Sequence, residues 1–220
     1  MAQTRFSGPV KSDNGFIFGL EANGTSLEPG KMAWSTQDGT VDVGLPNGVT
    51  MQLGQEMYFL ARNNTGSIIP NGTVVQFAGA LGNSGRLLMQ KALASALVPP
   101  VYVMGVTTHD VPTGTDGYVT AFGLVRQIDT RGGAENWVDG DLLYLSGSTA
   151  GALTKTAPLA PIPAILIAAV TNAAAQGNIF VRPTFGETLS ELHDVRISNP
   201  QDGQVLKYNG TGGYWYNAAA

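Results

Sequence analysis

Asn71-Gly72-Thr73-Val74-Val75-Gln76-Phe77-Ala78-Gly79 reads as two turn residues, a short strand and a closing glycine. Asp139-Gly140-Asp141-Leu142-Leu143-Tyr144-Leu145-Ser146-Gly147 repeats that plan. Asn-Gly and Asp-Gly tolerate positive φ and start tight hairpins, and β-branched and aromatic residues suit a pleated, half-buried surface. The segments that follow also match. Val106-Thr107, Gly114 and a strand closing at Gly123 parallel Val170-Thr171, Gly177 and a strand closing at Gly186. The copies lie about 65 residues apart, too far for a solenoid repeat and closer to duplicated β-units. The fold expected is all-β: a β-barrel-like body over residues 54–186, made of two related lobes with a repeat at 71–123 and 139–186. Chance alignment of glycine-rich strands is the competing reading.

Outward from these stretches the punctuation continues. Asn23-Gly24, Asp38-Gly39, Asn47-Gly48, Asp116-Gly117, Asp202-Gly203 and Asn209-Gly210 read as further turns. Met57-Tyr58-Phe59-Leu60, Val101-Tyr102-Val103-Met104 and Tyr118-Val119-Thr120-Ala121-Phe122 read as strands. Residues 86–97 are the one helix candidate, because Leu87, Leu88, Leu93 and Leu97 could share a side before Pro99-Pro100 stops the element. Residues 92–96 read equally well as an extended crossover. The uncharged run 156–181 is interrupted by Pro158, Pro161, Pro163 and Gln176, and its apolar centre, 164–170, suits a strand buried on both faces better than a membrane span.

On either side of the body the composition changes. Residues 1–53 read as an N-terminal arm with lead-in strands. The first thirty are rich in Gly, Ser, Asn and Lys, with few apolar anchors beyond residues such as Phe6 and Phe16. Residues 187–220 form a small C-terminal tail whose apolar positions include Leu189, Leu192, Val195, Leu206, Tyr208, Tyr214 and Trp215. That set is too small for an independent core, so these residues and the two phenylalanines are the candidate subunit interface. Tyr214-Trp215-Tyr216 could stack on sugar rings or plug a trimer axis; the second is favoured because buried aromatics anchor interfaces.

Charged residues make up 13% of the chain, against roughly 25% in typical soluble domains. Scarce charge covers a monomer poorly and points to a surface shared with neighbours. A net charge of -4 with singly scattered Lys and Arg gives no footprint for nucleic acid. With no cysteine there is no disulfide framework and no cysteine metal site. The first residues lack a basic and apolar leader, which suggests cytoplasmic synthesis without export through a membrane.

The motif search yields little chemistry. The sequence has no phosphate-binding loop, His-Glu-x-x-His pair, nucleophile elbow or dinucleotide fingerprint. His109 and His193 are the only histidines, each followed by Asp, and they read as surface or turn residues. Asp129, Glu135, Asp139 and Asp141 could offer oxygens to calcium, although a solvated turn rim fits their spacing better. Glu187 and Glu191 could be drawn as a glycosidase pair, with nothing in the sequence to split their pKa values. Asn63-Asn64-Thr65 and Asn209-Gly210-Thr211 read as turns rather than glycan acceptors. No catalytic residue, metal or cofactor is expected.

Thr50-Met51-Gln52-Leu53-Gly54-Gln55-Glu56, Arg62-Asn63-Asn64-Thr65-Gly66 and Ile69-Pro70-Asn71-Gly72-Thr73-Val74-Val75 resemble modules of tailed-phage tail fibres and other virion appendages. Leu189-Ser190-Glu191-Leu192-His193-Asp194-Val195, Pro200, the run from Asp202 to Gly210 and Trp215 resemble a connector that recurs in phage fibre proteins, the most specific part of the likeness. Met104-Gly105-Val106, Gly114, Gly117 and the strand to Gly123 more weakly resemble the barrel of small capsid-decoration proteins. The resemblance implies a homotrimeric, non-enzymatic virion protein, made in the bacterial cytoplasm, whose partners are the major capsid protein or other virion proteins. Fibres commonly continue beyond such a connector whereas this sequence stops at Ala220, which favours decoration. The alternatives are a short tail fibre contacting a host-surface glycan and, third, a capsule-degrading enzyme.

Overall fold

The computed structural model describes residues 13, 15–20, 27–95, 102–160, 162–184, 189 and 192–220. The chain divides into two compact units, Met1–Glu56 and Met57–Ala220. In the first, β1 (Met32–Ser35), β2 (Thr40–Gly44) and β3 (Thr50–Gln52) form an antiparallel meander. Asn47 and Gly48 turn β2 into β3 with φ of 64° and 72°. These left-handed values at consecutive residues are what an Asn-Gly pair supplies. Leu20 forms an isolated parallel bridge to Trp34.

The second unit holds the barrel. Its strands are β4 (Met57–Asn63), β5 (Val74–Ala80), β6 (Leu87–Lys91), β7 (Val103–Thr107) and β8 (Asp116–Ile128). They pair in the cycle β8-β4-β6-β5-β7 and back to β8, with β4 and β6 the one parallel neighbour pair. Closure leaves no open edge in this ring. The seam sets Val106 opposite Thr120 and Thr107 opposite Val119. It depends on Gly105, at φ +144°, where a Cβ would stand 2.1 Å from the Thr120 carbonyl oxygen. Ala61, Ile69, Val75, Met89, Met104, Val111 and Val119 fill one core within the unit.

The C-terminal half of β8 carries the second lobe, β9 (Leu142–Leu145), β10 (Leu153–Thr154), β11 (Leu166–Asn172) and β12 (Gly177–Thr184), in the order β10-β9-β11-β12-β8. Three strands of each lobe pair in the same order, although the first lobe closes and the second does not. Val74 of β5 pairs with Val106 of β7, as Leu142 of β9 pairs with Ala169 of β11; β7 then pairs with β8 as β11 pairs with β12. The ladders set Val119 and Ile179, both fully buried, in equivalent places. Gly117 therefore corresponds to Gly177, a shift from the Gly114 alignment read in the sequence. Leu143, Leu145, Ile167, Val170, Ile179 and Val181 join Val74, Val103, Val106 and Val125 in a second, larger core.

Three expectations are corrected. Residues 86–95 form no helix: Leu87–Lys91 is β6, paired with β4 on one side and β5 on the other, with Met89 buried. Inserting this strand between β4 and β5 closes the barrel, a tertiary gain that overrides the leucine spacing. Ala92 and Ala94 continue extended, donating their amides to Val74 O and Ser146 O, and residues 96 and 97 lie outside the described set. Asp116-Gly117 is the start of β8, not a turn, because Val111 packs over Gly117 so closely that a Cβ would stand 2.2 Å from Val111 Cγ2. β11 buries Ile167, Ala168 and Val170 but leaves Leu166 and Ala169 half-buried, so only one of its faces is fully covered.

The C-terminal segment builds its own sheet. β13 (Val195–Arg196) runs parallel to β15 (Tyr214–Ala219), and β14 (Gln204–Asn209) pairs antiparallel with β15 on its other side. Among the described residues, no helix is long and apolar enough to cross a membrane.

Candidate functional site

The C-terminal sheet alternates cleanly. Tyr208 lies opposite Trp215, Leu206 opposite Asn217 and Val195 beside Trp215, so one face carries Val195, Leu206, Tyr208 and Trp215. The other carries Val205, Lys207, Tyr214, Tyr216 and Arg196. Aromatic contacts hold each face: Tyr208 and Trp215 ring centres are 5.3 Å apart, Tyr214 and Tyr216 6.3 Å, and the Arg196 guanidinium stacks 3.8 Å over the Tyr214 ring. Asn217 clamps the base, accepting from Ser198 N and donating to Ser198 O and Gln204 Oε1. Asn209 Oδ1 accepts from Thr211 N and Gly212 N, which makes this Asn-x-Thr triplet the hairpin turn.

What the sheet lacks is a core. Among the described residues beyond Val181, none is buried. Tyr208 is 57% exposed and Trp215 42%. Covering either apolar face would stabilise it further.

Of the interface residues expected from sequence, the sheet brings together Val195, Leu206 and Tyr208 with Trp215, and places Tyr214 on the opposite face. Leu192 is half-buried and Leu189 exposed just before the sheet. Phe16 is exposed in the first unit. Phe6 lies outside the described residues. Arg196 and Lys207, which sequence reading did not single out, lie on the face with Val205, an apolar position of the tail; the alternation of Val205-Leu206-Lys207-Tyr208 is the signal that separates the faces. It also missed an exposed apolar row on the outer sheet of the second unit, where Met57 pairs with Phe122 and Phe122 meets Phe180 edge-on at 5.1 Å.

Of the residues considered for chemistry, His109 and the acidic group make hydrogen bonds within the fold. His109 is a buried turn residue rather than a surface one: its Nδ1 lies 2.7 Å from the Asp110 carbonyl oxygen and its Nε2 accepts from Tyr118 N. His193 is exposed. Asn63 is fully buried and saturated, donating to Ser67 O and Val111 O and accepting from Thr65 N and Oγ1, so its amide fixes the bend after β4.

The four carboxylates of the acidic group each hold separate donors. Asp129 binds the Arg131 guanidinium through both oxygens, and that hydrogen bond holds its pKa down at about 2. Burial pushes the Glu135 carboxyl up, but Thr154 Oγ1, Trp137 Nε1 and Lys155 N outweigh it and leave its pKa below the ordinary value. Asp139 accepts from Ala173 N, and Asp141 from Val138 N with Lys155 Nζ at 3.5 Å. No three acidic or histidine side chains converge among the described residues. Glu187 and Glu191 lie outside them. In the first unit, Asp42 and Gln52 face each other buried, with Asp42 Oδ1 and Gln52 Oε1 lacking hydrogen bonds.

The chain matches no protein-family model and no curated protein.

Proposed function

We propose that the chain is a non-enzymatic structural protein of a tailed-bacteriophage virion, a homotrimer that decorates the outside of the capsid. The observation that carries this reading is the C-terminal sheet with no buried residue, a module whose apolar faces gain stability when another surface covers them. The likeness of residues 50–75 and 189–215 to virion modules supplies the setting. The polar side chains that attracted a catalytic reading, His109 and the acidic group, spend their donors and acceptors on holding turns, which supports a structural role.

The mechanism is linkage. A protein that binds the assembled shell and not its free subunits stabilises the shell by about 2.7 kcal/mol at a hundred times its dissociation constant. The partner is then the major capsid protein. The likeness of the C-terminal residues to a fibre connector favours a second reading, a short tail fibre or appendage that contacts a host-surface glycan.

Sedimenting the purified protein with empty capsids, with isolated tails and with host cells separates them. Capsid binding alone is expected. Binding to tails or cells without capsids overturns decoration in favour of the fibre, and loss of host polysaccharide on incubation overturns the non-enzymatic reading.

A further inference from the structure

We propose that Asn47, in the turn between β2 and β3, is a self-modification site: the Gly48 amide attacks the Asn47 side chain and converts it, in the folded protein, to aspartate and isoaspartate.

Three Asn-Gly pairs lie wholly within the described residues, Asn47-Gly48, Asn71-Gly72 and Asn209-Gly210, and the fold treats them differently. A glycine after asparagine leaves the next amide unshielded by a side chain, so all three carry the local chemistry. The reaction also needs the carboxamide carbon to swing onto that amide. Asn71 is barred from this. Its Nδ2 donates to Arg126 O at 3.3 Å, its Oδ1 is buried, and the Gly72 amide donates to Thr107 O at 2.9 Å. Asn209 is held at both ends, its Oδ1 accepting from Thr211 N at 3.1 Å and Gly212 N at 2.9 Å while its Nδ2 donates to Tyr214 Oη at 3.2 Å. Asn47 is exposed, and its carboxamide makes no hydrogen bond among the described residues. One turn type of sequence thus occurs once with a loose side chain and twice with an anchored one.

The atoms balance with water as co-reactant. The Gly48 amide gives up its proton, its nitrogen bonds to Asn47 Cγ, the Cγ–Nδ2 bond breaks and ammonia leaves. Water then opens the five-membered imide. Cleavage between Cγ and the Gly48 nitrogen leaves aspartate; cleavage between the Asn47 carbonyl carbon and that nitrogen leaves isoaspartate, with the side-chain methylene now in the main chain. Either product adds one negative charge to a formal net charge of -4. Isoaspartate also lengthens a turn closed by Leu45 N donating to Val49 O at 2.8 Å and holding Gly44 opposite Thr50. Hairpin register follows loop length, so the modified β2–β3 end loosens.

The full chain, aged at mildly alkaline pH and then digested with trypsin, yields the three pairs on separate peptides, 32–62, 63–86 and 208–220. In the native protein the peptide with Asn47 should gain one mass unit and split into aspartate and isoaspartate forms while the other two pairs stay intact. In urea all three should convert at similar rates. Faster hydrogen exchange at the Leu45 amide should accompany conversion of Asn47, and Asn47→Gln, which moves the carboxamide one carbon further out, should abolish the mass gain on peptide 32–62. Native Asn47 that converts no faster than Asn71 and Asn209 overturns the proposal. A mass gain on peptide 32–62 that persists in Asn47→Gln overturns Asn47 as the site. Asn71 and Asn209 that stay intact in urea overturn the fold as the reason the three pairs differ.

Discussion

The barrel and the C-terminal sheet are made of similar residues in similar strands, and they solve the same problem in opposite ways. The barrel returns β7 to β8 and leaves no edge, and its inward residues, among them Ala61, Ile69, Val75 and Val119, are fully buried. The C-terminal sheet has apolar residues on both faces and buries none of them. If the proposed trimer forms through the open sheet, the stability divides into a part that is intrinsic to the barrel and a part that depends on concentration.

Substitutions at matched positions break this contrast most sharply. Gly105→Ala should have the largest effect, about 2–5 kcal/mol from combined overpacking and backbone strain, because the added carbon meets the Thr120 carbonyl at the closing seam. Urea unfolding should show the loss at all protein concentrations. Leu143→Ala, at a fully buried position, should cost a similar 2–5 kcal/mol. Leu206→Ala should change the unassociated chain by less than about 0.5 kcal/mol and show instead as a lower melting temperature at high protein concentration, with a shallower dependence on concentration. Equal effects of the last two at every dilution would erase the distinction between the regions.

The remaining tests sharpen it. Asn63→Ala takes one of two donors from Val111 O and from Ser67 O and the acceptor from Thr65 N, and should cost about 1–3 kcal/mol, read by hydrogen exchange at Thr65 as well as by unfolding. The smallest effect is electrostatic. The Glu135 pKa is lowered in the folded state, so its contribution is fully present above its ordinary value of 4.5 and is lost as pH falls through the lowered one. The urea midpoint should decline over that acid range in the wild type, and Glu135→Gln should flatten the decline. An unchanged slope would remove Glu135 from the acid response.

Much of the body was legible because local and global preferences agreed. Leu142–Leu145 is a strand with the limits its sequence suggests, and Asn47-Gly48 turns where an Asn-Gly pair should. The errors fell where a distant partner decided the outcome. Residues 86–91 have helical leucine spacing, but the slot between β4 and β5 makes them a strand. Asp116-Gly117 looks like a turn, yet Val111 takes the space over Gly117, while Asp116 pairs with Arg62 and Arg86. At the candidate interface the apolar residues could be picked out by type. Alternation divides β14 and β15 between two faces, but the faces taken by Val195 and Arg196 could not be read, because they depend on β13 joining β15 in parallel.

β8 serves two lobes, pairing through Asp116–Phe122 with β4 and through Gly123–Ile128 with β12. On a growing chain this strand sets a timetable. β4 leaves the ribosome more than fifty residues ahead of the partner it needs, at 5–20 residues per second a wait of several seconds. Once β8 emerges the ring can close, but the rest of β8 then stands as an open ladder until β12 arrives some fifty residues later. Synthesis that stalls between those two moments would release a molecule with a finished barrel and one adhesive strand, a species expected to join with its own kind in the wrong way.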